Sequence, residues 1–152
     1  MHTTIIRSGI ASLALAAFLA TGSAGVAQTV SYRANLSGHG EVPPNDSKGT
    51  GVMNATYDKS SKKLTWTATY SGLTGNVTLA HFHGPVSFVG MTSDKNAPVT
   101  LPIKSSLASP INGSAILTDK QAKDFSDGLW YFNIHTAAHP GGEIRGQVLR
   151  GN

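Results

Sequence analysis

Two histidines at alternate positions are the residues of this sequence whose types and spacing point most directly to chemistry. His81 and His83 form an H-x-H pair, and in a β-strand this spacing places both imidazoles on one face, with Cβ atoms about 7 Å apart. Both rings can then bind one ion at about 2.0–2.1 Å from each nitrogen. His135 lies on the polar face of a later predicted strand, residues 129–136. Because imidazole suits both metals and the chain contains no cysteine, these three histidines predict a copper or zinc site.

The predicted last hairpin brings more polar side chains to the face that carries His135. Its strands, residues 129–136 and 143–149, are joined by a turn that contains Pro-Gly-Gly. Directly opposed residues of an antiparallel pair share a face, so we expect His135 to lie opposite Glu143 or Arg145. The residues expected to surround the ligands are Asn133, Glu143, Arg145 and Gln147. Two further candidate ligands are His139 in the turn and Met91 in the loop after the H-x-H pair.

An alternative interpretation assigns no metal to this polar face. In that case the polar side chains hydrogen-bond one another, and Glu143 and Arg145 form an ion pair or orient His135. The protein would then be a structural or adhesive envelope protein. A hydrolase with paired carboxylates is poorly supported, because the chain contains only two glutamates, Glu41 and Glu143.

Alternation of apolar and polar residues predicts the elements that must position these side chains. The clearest strand is residues 64–70, in which apolar residues alternate with threonines, and similar period-two patterns recur along the chain. Thr118 and Gln121 resemble a capping box and Gly128 lies at the position of a C-terminal cap, which predicts one short helix over 119–127. We therefore predict an all-β fold, a single antiparallel β-sandwich or flattened Greek-key barrel of seven or eight strands.

The first 27 residues resemble a secretory signal rather than a part of the fold. Arg7 precedes an apolar run over residues 10–20, and small residues lead to a predicted cleavage site after Ala27. The apolar run is too short for a membrane anchor. We therefore expect an exported protein, periplasmic or extracellular, whose folded domain spans 28–152 and does not insert into a membrane.

Composition and charge exclude further classes of function. Only 13% of the 152 residues are charged and the formal net charge is +4, but the basic residues form no stripe of the kind that binds nucleic acid. The absence of cysteine excludes disulfides and thiolate catalysis. A protein or small-molecule partner is left open by these observations.

Four stretches of the sequence resemble, in order, the motifs of the CHRD domain, the module named after chordin. They are Leu36–Gly38 with Glu41–Pro44, Ala80–Gly84, Asn133–Thr136 and Pro140–Gln147. The resemblance extends from Tyr32 to Leu149, almost the whole predicted domain. It implies a small exported β-domain of the kind found in bacteria, and it implies no general enzymatic activity. The favoured hypothesis is thus a binding module rather than an enzyme.

A weaker resemblance is to the copper side of the Cu/Zn superoxide dismutases, which are also Greek-key β-proteins. In that comparison His81, His83 and His135 match copper ligands, and Arg145 matches the arginine that guides the anion. The sequence departs from the dismutase pattern because it has no disulfide cysteines and offers only Asp94 for the zinc side. A redox enzyme is therefore the least supported of the three hypotheses.

Overall fold

The structure of the protein, a computed structural model, describes residues 28–86 and 95–151. The predicted secretory signal (residues 1–27), Met91 and Asp94 lie outside the described residues. Within the two described ranges, no helix combines the length and the apolar character that a membrane span requires.

Strands make up nearly half of the described residues. They are β1 (Thr29–Ser37), β2 (Thr50–Asp58), β3 (Lys63–Ser71), β4 (Val77–His83), β5 (Val99–Pro102), β6 (Ile111–Ile116), β7 (Tyr131–Thr136), β8 (Ile144–Gln147) and β9 (Leu149–Arg150). A helix, α1, spans Asp119–Ser126, and a short 3-10 turn spans Gly38–Gly40.

The first three strands show why this sequence forms a one-sided sheet. In β1 the side chains alternate. Every second one from Val30 to Leu36 is buried, and every second one from Thr29 to Asn35 is exposed. The same alternation runs through most of β2 and β3. One face of each strand therefore packs on the core while the other meets solvent, which confirms the period-two reading of these segments.

The strands form one curled antiparallel sheet, a half-barrel, in the order β5-β4-β7-β8-β1-β2-β3-β6, with β9 paired to β1. The core lies inside the curve and is rich in aromatic rings. The Phe82 ring lies 5.3 Å from that of Trp66 and 4.9 Å from that of Phe132, both in edge-on contact. Among the described strands, β5 and β6 are the two edges of the half-barrel. The predicted antiparallel all-β class is confirmed.

The helix begins as the sequence predicts and ends one residue earlier. The Thr118 side chain accepts a hydrogen bond from the backbone N–H of Gln121, and the Gln121 side chain accepts one from the backbone of Thr118, which completes a capping box. Phe125 anchors the helix on the core, with its ring 4.4 Å from that of Tyr32.

The last hairpin is shorter than predicted and is buried on both faces. Its strands are β7 and β8 instead of residues 129–136 and 143–149, and every residue of both strands is buried. Loop residues cover the face opposite the core: Asn45 donates to the backbone oxygen of Glu143, and Arg145 donates to that of Lys95. The polar side chains of this hairpin are therefore shielded from solvent.

Candidate metal centre

The candidate site forms where β4 lies beside β7. His81 lies opposite Asn133 in the register of these strands, and His135 lies opposite Leu79, so the H-x-H strand adjoins the hairpin as the metal hypothesis requires. One ring nitrogen each from His81, His83 and His135 lie within 4.8 Å of one another. A point therefore exists that is about 2.8 Å or less from all three nitrogens. For metal bonds of about 2.1 Å, each nitrogen would have to move toward that point by less than about 1 Å.

Backbone carbonyls fix the protonation pattern of two of the three rings. The Nδ1 atom of His83 lies 2.8 Å from the carbonyl oxygen of Ala97, and that of His135 lies 2.9 Å from the carbonyl oxygen of Pro140. A carbonyl oxygen only accepts hydrogen bonds, so each Nδ1 carries a proton, and in the neutral ring each Nε2 then presents a lone pair. Such outer contacts are what orients a metal-binding histidine.

His81 completes the cluster from the side that is open to solvent. It is half-buried, and its Nδ1 atom lies 3.2 Å from Nε2 of His135. Burial, reinforced by the neighbouring His135 and His83, lowers the pKa of His81 to about 4. Burial also lowers the pKa of His83. Both rings are therefore neutral near pH 7, the form in which imidazole binds a metal.

Asn133 lies in the middle of the cluster. Its Oδ1 atom is 3.1 Å from Nε2 of His83 and 3.1 Å from Nε2 of His135. The buried Glu41 is a neighbour of Asn133, and its pKa is raised to about 7 because burial outweighs the opposing effects of Arg145 and Asn133.

A stack of three planar groups supports the cluster from one side. The His83 ring lies parallel to the Tyr131 ring, with centroids 4.7 Å apart and an angle of 4° between the planes. Arg145, from the strand on the other side of β7, places its guanidinium carbon 3.4 Å from the centre of the same ring. The guanidinium also donates to the Asn96 side chain and to the backbone oxygen of Lys95. Burial lowers the pKa of Arg145.

Glu143 and Gln147, expected to surround the ligands, have other partners. The Glu143 carboxylate accepts hydrogen bonds from the Ser47 hydroxyl (2.6 Å), the Thr74 backbone N–H (2.7 Å) and the Thr136 hydroxyl (2.5 Å). Gln147 donates to the backbone oxygen of Gly128. The sequence-based ion pair of Glu143 with Arg145 is absent among the described residues, because the three ion pairs there involve lysines.

Of the two remaining candidate ligands, the structure describes only His139 and places it outside the cluster of three. His139 is half-buried in the β7–β8 turn, where its backbone N–H donates to the Thr136 hydroxyl. Met91 lies outside the described residues.

Glu41 was missed as a residue of the site. It lies in the Gly/Pro-rich loop after β1 and is 5% exposed, and its Oε1 atom has no hydrogen-bond partner among the described residues. The sequence signals were its rarity, as one of two glutamates in a weakly charged chain, and its place in the first of the four CHRD-like stretches. A glutamate in a loop is ordinarily solvated, so nothing in the pattern indicated burial.

Fold and site together define a class: a β half-barrel with an imidazole cluster on a covered face. The model of the CHRD domain family matches residues 32–148, and the chain belongs to that family. The resemblance of its motifs to this module is thereby confirmed, and membership supports a binding module. No curated protein matches the sequence, and no solved structure matches the chain.

Proposed function

We propose that this CHRD domain is an exported binding module that holds one copper or zinc ion through His81, His83 and His135. The observation that carries the proposal is the convergence of lone pairs. Nε2 of His83 and Nε2 of His135 present lone pairs, and each lies 3.1 Å from Oδ1 of Asn133, which is also an acceptor. The nearest further ring nitrogen is Nδ1 of His81, which lies 3.2 Å from Nε2 of His135. A cation at this point satisfies every lone pair at once.

The competing structural function rests on the burial of Glu41, which is 5% exposed with Oε1 unpartnered among the described residues and whose pKa burial raises to about 7. If the Asn133 amide is reversed, its Nδ2 atom donates to both imidazoles and a protonated Glu41 donates to Oδ1. This network satisfies the cluster without an ion, and the domain then serves as a structural or adhesive envelope protein. The two functions make opposite predictions for metal uptake.

Calorimetry and thermal unfolding with Cu(II) and Zn(II) decide between them. Untagged protein is required, since a polyhistidine tag would bind both ions. We expect one ion per chain, and at a free ion concentration 100 times Kd a stabilisation of about 2.7 kcal/mol, or roughly 10 °C in Tm. Absence of heat together with an unchanged Tm for both ions would establish the structural function.

A matched pair of histidine variants tests the site itself. His81→Ala is the informative change, because His81 is half-buried and its ring contacts among the described residues are with His83 and His135. It should remove the rise in Tm while leaving the metal-free protein folded. His39→Ala is the control, because His39 is exposed in the 3-10 turn, and it should bind metal as the unaltered protein does. Equal binding by both variants contradicts the site.

Export is the second part of the proposal and is tested separately. Its support is the secretory pattern of residues 1–27, with Arg7, the apolar run over 10–20 and small residues up to Ala27. Expression of the full chain in a bacterial host followed by mass spectrometry of the periplasmic fraction should recover a protein that begins at Gln28. Recovery of the uncleaved chain from the cytoplasm would overturn this part alone.

A further inference from the structure

Asn133 has a buried side-chain oxygen without a donor. The residue is 3% exposed, and among the described residues Oδ1 lies 3.1 Å from the Nε2 atoms of His83 and His135. Both of those nitrogens carry lone pairs, because the protons of the two rings are committed to the carbonyls of Ala97 and Pro140. A buried acceptor that faces two other acceptors is costly unless a cation lies between them.

The spacing of Oδ1 from the ring nitrogens fits that of a fourth ligand. In a tetrahedral site with bonds of about 2.0–2.1 Å, neighbouring ligand atoms lie roughly 3.3–3.4 Å apart. The observed separations are 3.1 Å from Oδ1 to each of two nitrogens and 3.2 Å between His81 Nδ1 and His135 Nε2. An atom of the outer environment would lie beyond the ligands, not level with them.

The buried Glu41 is a charged neighbour of Asn133. With Oδ1 directed at the two ring nitrogens, the amide nitrogen of Asn133 is the group that can donate to this carboxyl group. Glu41 is packed against Gly142, where a Cβ atom would lie 2.5 Å from its Oε1 atom.

Resting on the metal site proposed above, we infer that Asn133 Oδ1 is the fourth ligand and that the site is closed. The ligands then come in pairs from two adjacent strands: His81 and His83 from β4, and Asn133 and His135 from β7. A closed four-ligand site characterises structural metals, whereas a catalytic metal keeps a position open for substrate. An amide oxygen also favours a divalent ion over Cu(I). The ion therefore braces β4 against β7 and performs no redox turnover.

Azide binding to the cobalt-substituted protein tests whether the site is closed, and the unaltered chain suffices. Co(II) binds the same ligand types as Zn(II), and its visible spectrum reports coordination number. We expect a tetrahedral spectrum that millimolar azide leaves unchanged. A spectrum that azide alters would show an open position and overturn the inference, while leaving metal binding in place. A chain that takes up no cobalt, zinc or copper would instead overturn the proposed function.

Variants then assign the fourth ligand to Asn133. Asn133→Ala should weaken metal binding by about 10- to 100-fold and make the cobalt spectrum respond to azide, because a water replaces the amide oxygen. Gln147→Ala is the matched control, since Gln147 is also buried and polar but donates to Gly128; it should stay insensitive to azide. Metal affinity and azide response equal to those of the unaltered chain in Asn133→Ala would overturn the assignment.

Discussion

The guanidinium carbon of Arg145 lies 3.4 Å from the centre of the Tyr131 ring. This contact joins β8 to β7. Along its other edge β7 pairs with β4, which carries His81 and His83 of the histidine cluster. Arg145 is 2% exposed, so its positive charge is retained in the interior by the ring face and by the two oxygens of residues 95 and 96. The planar guanidinium can stack on the ring and at the same time donate hydrogen bonds to both oxygens.

Arg145→Lys should therefore destabilise the protein, although it keeps the charge. A lysine ammonium cannot stack on Tyr131 or reach both oxygens, so we expect a loss of about 2 kcal/mol in the free energy of unfolding. Urea denaturation at pH 7 measures it. Arg33→Lys is the control, because Arg33 is exposed on β1, and a change within about 0.5 kcal/mol is expected there. Equal effects of the two substitutions would refute the importance of the stack.

Two adjacent glycines in the β7–β8 turn should respond very differently to alanine. At Gly142 the φ angle is +129° and a Cβ atom would lie 2.5–2.7 Å from the Glu41 carboxyl group, whereas at Gly141 nothing lies within 4 Å. Gly142→Ala should cost about 2 kcal/mol or more through strain and displacement of Glu41. Gly141→Ala should be within about 0.5 kcal/mol of the unaltered protein. Thermal unfolding of the pair provides the comparison, and similar melting temperatures would contradict the packing of Glu41.

The free energy of unfolding should depend on acid pH through the carboxylate of Glu143. Burial raises its pKa, but hydrogen bonds from Ser47, Thr136 and Thr74 outweigh burial and hold the pKa below the ordinary value of 4.5. A carboxyl with a lowered pKa in the folded state stabilises the fold above the pKa of the unfolded chain and loses this contribution as pH falls below about 4.5.

The corresponding variant is Glu143→Gln, measured by urea unfolding from pH 7 to pH 3. At pH 7 it should cost about 2–3 kcal/mol, since charge-assisted hydrogen bonds are lost and a donor faces donors. The difference from the unaltered protein should shrink below pH 4.5. Asp46→Asn, at an exposed position of the neighbouring loop, is the control and should change the free energy of unfolding at pH 7 by less than about 0.5 kcal/mol. A constant deficit for Glu143→Gln at every pH would argue against the ionised carboxylate.

The capping box at the start of α1 gives a fourth prediction. Thr118→Ala removes the hydroxyl that accepts from Gln121 and should cost about 1 kcal/mol. Ser126→Ala, at the exposed end of the same helix, should change the free energy of unfolding by less than about 0.5 kcal/mol. Chemical denaturation of both variants checks this, and an unchanged stability of Thr118→Ala would mean that the packing of Phe125 alone holds the helix.

The alternation of apolar and polar residues predicted the strands well, because it depends only on which face of each strand is buried. A strand with one buried face must place apolar side chains at every second position, as β1 and β3 do, and an H-x-H pair in such a strand must put both rings on one side. The capping box was equally predictable from the sequence, since the side chains of Thr118 and Gln121 hydrogen-bond each other's backbone N–H groups at the start of the helix and lie only three positions apart.

Long-range pairing was less accessible. His81 and His135 are 54 positions apart, and only the sheet order brings β4 beside β7. Alternation also did not reveal how loops would bury the second face of the last hairpin, so Glu143 was expected near His135 rather than bound to Ser47, Thr74 and Thr136. Glu41 could not be identified, because its burial depends on loop packing that no periodic pattern encodes.

The open half-barrel has one consequence for behaviour at high concentration. An unpaired edge strand offers backbone groups on which a second molecule can add a strand. β5 limits this hazard by its four-residue length and by ending at Pro102. β6 has six residues and carries Ile116, whose side chain is 66% exposed. Aggregation of concentrated protein should therefore begin at β6, where a single charged side chain in place of Ile116 would act as a gatekeeper.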